Sequence, residues 1–192
     1  MSGNRTPRLI VFMLTAWIVL GFLSSPSATL SEEGPVREYD LKAAFLYNIL
    51  KFVDWPDEVQ ARPHLVIGIL GEDPFGASIE VLRNKMIGRR IVVIRRGSSV
   101  QALKQCDVLF IARSESERVE RIVRSAVPMH TLVVGDTTGF AERGVMVNFF
   151  LLDRKVRFEI NLEAARRAKL TVSSQVLKLG RVIREQGIPA ER

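Results

Sequence analysis

Four apolar runs, separated by polar segments, constrain the fold of this chain more than any other feature of its sequence. The run HLVIGIL at 64–70 carries almost no polar side chain, so both of its faces are expected to be covered, as in the middle of an α/β sheet. Similar runs follow at 90–96, 107–112 and 131–136. Such runs, alternating with helix-like segments, predict a parallel sheet with helices on both faces and right-handed crossovers.

The segments between these runs have the composition of helices. We expect helices at 77–85, at 98–105 and at 114–126. In the last of these, Ser114 and Glu117 have the spacing of a capping box, which predicts a helix start at Ser114.

Before the first run, residues 36–54 predict an amphipathic helix. It should end before Trp55, because a residue that precedes proline avoids helical angles, and its apolar face should dock on the sheet. The apolar arc contains Leu41, Phe45, Leu46, Ile49, Leu50, Phe52 and Val53, and the remaining polar stripe contains Asp40, Ala44, Tyr47, Asn48, Lys51 and Asp54.

The pattern changes after the fourth run. Two extended runs around Asp153 and Arg154 predict an antiparallel hairpin over 145–160. Asn161 then suits the cap of a helix, and a further helix is expected over 171–186. The predicted fold class is α/β, a three-layer sandwich whose mostly parallel sheet has helices on both faces and a C-terminal antiparallel hairpin at its edge.

Residues 1–30 have the pattern of a secretory signal peptide. Arg5 and Arg8 precede an apolar run at 9–23, and a small polar segment follows, with the cleavage point expected between 24 and 31. The run is shorter than the about 20 residues of a membrane span. We therefore expect residues 31–192 to form a single domain located in the periplasm.

The net charge is +7, and removing Arg5 and Arg8 leaves 28 − 2 = 26 basic against 21 acidic residues, or +5. This balance does not require nucleic acid, and export argues against it as a partner. Cys106 is the single cysteine, so no internal disulfide is predicted. We interpret Cys106 as a small buried apolar residue, with an intermolecular disulfide or a redox-sensing thiol as alternatives.

No motif in the sequence indicates catalysis. The chain has no phosphate-binding loop, no dinucleotide fingerprint and no nucleophile elbow. His64 and His130 each begin an apolar strand without a second ligand at metal spacing. We predict that the protein is not an enzyme and uses no metal and no cofactor.

Three turns are expected to meet at the carboxyl edge of the parallel strands, where open α/β sheets bind ligands. A pocket for a small anion or an aromatic ligand would form there, although the same residue types also suit ordinary turns. The candidate ligand-binding residues are Asp73, Phe75, Arg113, Ser114, Asp136, Thr137, Thr138 and Phe140.

The polar stripe of the opening helix has a candidate partner in the hairpin. Arg157 and Glu159 alternate with apolar residues and so point to one face. We expect ion pairs between Lys51 and Glu159 and between Asp40 and Arg157, so that the stripe, with Asn48, either ties the helix to a partner surface or is a solvated face.

The chain resembles the YfiR family of exported proteins. The resemblance rests on YDLKAAFLYNILKFVDWP (39–56), LVIGILGEDPFG (65–76), CDVLFIARSES (106–116), VVGDTTGFAERG (133–144) and the run from GVMVNFFLLDRKVRFEI to SSQVLKL (144–179).

This resemblance implies an α/β sandwich, a tendency to dimerise, and a periplasmic repressor that binds the sensor part of a membrane diguanylate cyclase. Release of such a repressor raises cyclic di-GMP and favours biofilm growth. The disulfides of the best-understood members do not carry over, because Cys106 is alone. The favoured function is therefore a non-enzymatic periplasmic regulator with a membrane signalling partner. The alternative is a periplasmic small-ligand binding protein that serves a transporter or sensor kinase. A homodimer and a small ligand remain open.

Overall fold

The computed structural model describes residues 35–183, and the predicted signal peptide lies outside this range. The helices are α1 (Pro35–Leu50), α2 (Asp57–Gln60), α3 (Val119–Ala126), α4 (Leu162–Arg167) and α5 (Ser174–Leu177), with 3-10 helices at Ser78–Leu82, Arg113–Arg118 and Val127–Met129. The strands are β1 (Val53–Asp54), β2 (His64–Leu70), β3 (Met86–Ile87), β4 (Arg90–Gly97), β5 (Val108–Ile111), β6 (Leu132–Gly135), β7 (Val147–Leu152), β8 (Lys155–Asn161), β9 (Thr171–Val172) and β10 (Arg181–Ile183).

One mixed sheet of the described residues has the strand order β10-β8-β7-β6-β5-β2-β4-β3. The strands from β7 to β4 in this order are parallel to their neighbours, whereas β8 pairs antiparallel with β7 and β3 pairs antiparallel with β4. Strand β2 is buried from Leu65 to Leu70, as expected for a strand covered on both faces. The predicted α/β fold class is confirmed, and β10 adds a parallel strand outside the hairpin.

Helix α1 lies across this sheet. The ring of Phe45 is 6.0 Å from that of Phe158 on β8, and the Tyr47 hydroxyl donates to the carbonyl of Met86 on β3. Because residues two apart project to nearly opposite flanks of a helix, one flank of α1 faces β8 and the other faces the β3 edge. Leu46 and Ile49 are buried between them.

The helix ends earlier than predicted. Its last turn tightens, with Phe52 N donating to Ile49 O at 2.9 Å, and the chain then becomes extended. Val53 pairs with Val172 of β9, forming a small two-stranded antiparallel sheet. The prediction that residues 53–54 are helical was wrong. They pair with β9 instead, so the helix ends before it reaches Trp55, the residue that precedes the proline.

The predicted closing helix over 171–186 is also wrong for its described part. Only α5, a single turn capped by the Ser173 hydroxyl, is helical there. A Cβ on Gly180 would lie 2.4 Å from the ring of Phe158, so the chain passes directly against that ring. It then continues as β10, parallel to β8.

Two further helix predictions are wrong. Residues 98–105 form successive turns that end at Gln105, whose φ is +68°, a value that a right-handed helix does not allow. Ser114 does not cap a helix, because its hydroxyl accepts a bond from Glu72 N at 3.0 Å, and the segment begins as a 3-10 helix. By contrast, Asn161 caps α4 as predicted, accepting from Ala164 N at 2.9 Å.

Candidate functional site

The carboxyl edge of the sheet is occupied by side chains of α1. Asp136 directly follows β6, and its Oδ2 accepts hydrogen bonds from the Tyr39 hydroxyl at 2.9 Å and from Lys42 Nζ at 2.8 Å. Lys42 is only 3% exposed and also pairs with Glu38 at 2.5 Å. Burial, together with the nearby carboxylate of Asp136, raises the pKa of the Tyr39 hydroxyl well above its ordinary value. We call these four residues, Glu38, Tyr39, Lys42 and Asp136, the α1 latch.

Phe75 and Phe140, two of the predicted ligand-binding residues, belong to the core. The Phe75 ring packs edge-on against Tyr39 at 5.2 Å and against Phe110 at 4.7 Å. Phe140 is 1% exposed and covers Gly135, where an added Cβ would lie 2.7 Å from its ring. Tyr39, a residue of the chain itself, therefore packs against two of the residues that were predicted to bind a small anion or an aromatic ligand.

The other predicted ligand-binding residues form turns at the same edge. Asp73 accepts from Phe75 N at 2.8 Å and from Arg96 Nε at 2.7 Å. Ser114 holds Glu72 N, whereas Arg113 and Thr138 are exposed. The structure therefore brings Phe75 and Asp136 together around Tyr39, while Ser114 lies in a separate contact with the loop after β2. Ligand binding by this set stays a prediction.

Tyr39 and Lys42 are the residues that the sequence interpretation missed. Lys42 lies four residues before Leu46 and seven before Ile49, so it projects onto the buried arc of α1. A lysine at that position requires a buried anion, and Asp136 after the fourth apolar run is a suitable one. The spacing of Lys42 from Leu46 and Ile49 is the feature of the sequence that could have identified it as a buried lysine.

The polar stripe of α1 lies beside the β3 edge rather than beside the hairpin. Lys51 Nζ is 3.4 Å from Asn48 Oδ1 and 4.1 Å from the centre of the Tyr47 ring, and Lys85 Nζ approaches the same ring at 5.6 Å.

On this edge Met86 pairs with Ile91, and the two side chains are 50% and 39% exposed. We call Tyr47, Asn48, Lys51, Lys85, Met86 and Ile91 the α1–β3 surface.

The predicted ion pairs with the hairpin are not formed. Glu159 is 3% exposed, with Oε1 accepting from Asn148 Nδ2 at 3.0 Å and Oε2 paired to Arg181 of β10. Arg157 and Asp40 are exposed, and neither pairs with the other. The reason is the orientation of α1, because the flank that carries Lys51 faces β3 at the opposite end of the sheet.

A second buried ion pair lies at the amino edge of the sheet. Arg90 Nη2 is 2.7 Å from Asp107 Oδ1, and the same guanidinium donates to His64 O and stacks over Trp55 at 5.6 Å. Its partners are all within the fold, so we assign it a structural role.

The two histidines differ in their surroundings. His130 Nδ1 is 2.9 Å from Ala168 O, and the His64 side chain is exposed. Residues 35–183 contain no cluster of three or more residues suited to a metal ion, and no helix in that range is long and apolar enough to cross a membrane.

Two solved structures share the fold at low sequence identity. A conserved domain protein from Vibrio cholerae O1 biovar El Tor strain N16961 gives a TM-score of 0.53 at 15% identity, over 75% of this chain and 59% of that one. An ABC domain in complex with L-Trp from Streptococcus pneumoniae gives 0.51 at 13% identity, over 76% of this chain and 60% of that one. The chain thus spans about three fifths of the solved chains that it matches, and this likeness describes the fold alone.

No curated protein matches the chain. A family model described as YfiR/HmsC-like matches residues 39–181, which include Tyr39, Lys42 and Asp136 of the α1 latch, the α1–β3 surface and the strands from β1 to β9. The match covers most of the chain and agrees with the resemblance found in the sequence. The chain belongs to the YfiR/HmsC-like family.

Proposed function

We propose that this protein is a non-enzymatic periplasmic regulator that binds the periplasmic part of a membrane signalling protein. Membership of the YfiR/HmsC-like family supports a regulatory role of this kind. The finer proposal is that the partner is a diguanylate cyclase, which the bound regulator holds inactive. Loss of the regulator would then raise cyclic di-GMP and favour biofilm growth.

The α1–β3 surface is the observation that carries this proposal. Exposed Met86 and Ile91 supply an apolar centre, and Tyr47 beside them is held by its bond to Met86 O at 3.2 Å. Aromatic residues and methionine are enriched in protein interfaces, where a rigid tyrosine loses little conformational entropy on binding. The surface therefore has the composition of a binding site for another protein.

The charge of this surface indicates the kind of partner. Lys51 and Lys85 flank the Tyr47 ring, and neither ammonium group has a carboxylate within ion-pair distance in the described part of the chain. A partner with carboxylates at matching positions would gain complementary charge and faster association. We therefore propose an acidic surface with an apolar centre on the periplasmic domain of the partner.

Contact through side chains is favoured over strand addition at the β3 edge. Strand addition needs free backbone groups along an edge, but β3 is two residues long and Met86 O already accepts from Tyr47. Short, blocked edges are a common protection against edge-to-edge pairing.

A second candidate function, small-ligand binding at the carboxyl edge, draws support from the solved ABC domain in complex with L-Trp, which shares the fold. In this chain Tyr39 and Lys42 fill the space beside Asp136 and Phe75. A ligand there would have to displace the α1 latch, so we rank this function below the regulator.

The test compares charge reversal at the α1–β3 surface with a matched change elsewhere. A strain lacking the gene is complemented with wild type, with Lys51→Glu/Lys85→Glu, or with Lys104→Glu/Lys155→Glu, which reverses two exposed lysines outside this surface. We expect the Lys51→Glu/Lys85→Glu variant, at equal periplasmic abundance, to leave cyclic di-GMP high while the other two lower it.

Unchanged cyclic di-GMP after deletion of the gene would reject the cyclase as partner. Full complementation by the Lys51→Glu/Lys85→Glu variant would reject this surface. The third outcome is that the surface binds a second copy of this chain. Light scattering of the purified proteins would then show a dimer that is lost only in the Lys51→Glu/Lys85→Glu variant.

A further inference from the structure

The strand order reverses next to β2, and this creates a topological switch point. The chain passes from β2 to β4 on one side and then crosses to β5 on the other side. In open α/β sheets ligands bind outside the carboxyl ends of the strands at such a point. A site that differs from the α1 latch is therefore expected at the loops after β2 and β5.

The crevice between those two loops is closed. Gly71 has a φ of +92°, and a Cβ built on it would lie 2.4 Å from Ser114 Oγ and 2.9 Å from Glu115 Cγ. The bond from Glu72 N to Ser114 Oγ holds the loops together. A ligand has no room in the crevice itself.

An open cavity of about 240 Å³ lies beside the crevice, on the β4 side. Its apolar lining comes from Leu70 at the end of β2, Val100 after β4 and Ile122 on α3. This volume is below the about 300–1,000 Å³ of pockets for drug-sized ligands, so it suits a smaller molecule.

Three charged residues line the same cavity. Glu115 is 6% exposed, and its carboxylate is paired to the guanidinium of Arg118, which removes most of its negative field. Arg121 lines the cavity with no ion-pair partner among residues 38–183. The charged lining therefore carries one net positive charge, placed at its exposed rim.

We propose that this cavity binds a small organic anion, a carboxylate on an apolar body. The guanidinium of Arg121 presents two parallel donors that match a carboxylate, and the apolar body packs on Leu70, Val100 and Ile122. Glu115 and Arg118, paired to each other, form the rest of the charged lining. The site is independent of the proposed partner surface.

The experiment is a titration of the uniformly ¹⁵N-labelled protein, residues 31–192, with 3-phenylpropanoate and with its neutral amide at the same millimolar concentrations. We expect the carboxylate to shift the amide signals of Leu70, Val100 and Ile122, and the amide compound to bind at least tenfold more weakly. Arg121→Gln should weaken carboxylate binding at least tenfold, and Val100→Trp, which fills the cavity, should abolish it.

Arg124→Gln is the matched control, because it changes an exposed arginine on the same helix outside the cavity lining. Equal binding of carboxylate and amide would overturn the anion assignment. Absence of shifts around the cavity in the wild type, or full binding by Arg121→Gln, would overturn the site. None of these outcomes depends on the membrane partner, so they leave the proposed function to its own test.

Discussion

The α1 latch makes a quantitative prediction about how α1 is held on the sheet. Lys42 and Asp136 are 3% and 5% exposed, so each ion of the pair lies almost entirely out of water. Removing one partner of a buried pair costs about 3–5 kcal/mol, because the other charge stays buried without compensation. Lys42→Met keeps the aliphatic stem of the side chain and removes only the charge, which separates electrostatics from packing.

We expect Lys42→Met to lower the free energy of unfolding by about 3 kcal/mol, the lower end of that range. The reason for the lower end is Tyr39, whose hydroxyl still donates to Asp136 Oδ2 in the variant. Asp136→Asn should cost less, about 1–2 kcal/mol, because Lys42 keeps Glu38 as a partner and the amide oxygen still accepts a bond. The stability of a typical domain, about 5–15 kcal/mol, leaves both variants folded.

Urea unfolding of the wild type, both single variants and Lys42→Met/Asp136→Asn measures the coupling between the two residues. The double variant should be more stable than additivity predicts by at least about 1 kcal/mol, because the second change removes a charge that the first had left unpaired. Small and additive losses, each below about 0.5 kcal/mol as for exposed residues, would refute the latch.

Three other substitutions test the packing and the surface charge. Gly68→Ala should destabilise the protein by about 1–3 kcal/mol, because the new Cβ would lie 2.7 Å from Cys106 Sγ. Adding Cys106→Ala should relieve most of that loss, because the remaining contacts are no closer than 3.4 Å. Additive losses in urea unfolding would show that the sulfur is not the obstacle. Cys106→Ala alone should lower the free energy of unfolding by no more than about 1–2 kcal/mol. Burial raises the pKa of the Cys106 thiol to about 11, so the native protein should react with a disulfide reagent at pH 8 only as it unfolds. The hydrogen bond from Arg83, followed by that from Arg96, lowers the pKa of Glu80 to about 2, so its contribution to stability is present above the unfolded value and is lost as the pH falls through about 2. An NMR titration of the Glu80 carboxyl should show a higher pKa in Arg83→Gln, and an ordinary wild-type value would contradict the contact.

The large sheet was readable from the sequence because its signals are local and strong. A fully apolar run such as 64–70 has few alternatives to a central strand, and Asn161 before a helical segment has few alternatives to a cap. The α/β class follows from the alternation of strands and helices.

The errors fall where a distant partner decides the local structure. Val53 is not helical because it pairs with Val172, and the chain after Gly180 is a strand because it pairs with β8. The short segment at 98–105 is too brief for helix propensity to prevail over a left-handed residue at its end.

The candidate site was harder to predict because helix projection assigns each residue to an arc and not to a neighbour. Projection placed Tyr47, Asn48 and Lys51 together correctly, but it could not decide whether that stripe faces β8 or β3. The interpretation of Lys51 and Glu159 as partners used charge alone, whereas Arg181 arrives at Glu159 through the parallel pairing of β10.

The most direct test of the proposed regulator is site-specific photo-cross-linking in intact cells. A photoreactive benzoylphenylalanine replaces Tyr47 on the α1–β3 surface, and a control carries it at Lys104. We predict a Tyr47-specific cross-link to a membrane protein with an acidic periplasmic domain and a cytoplasmic diguanylate cyclase domain, and loss of that cross-link when Lys51→Glu/Lys85→Glu is added. Cross-links to the same protein from both positions, or no membrane protein at Tyr47, would contradict it.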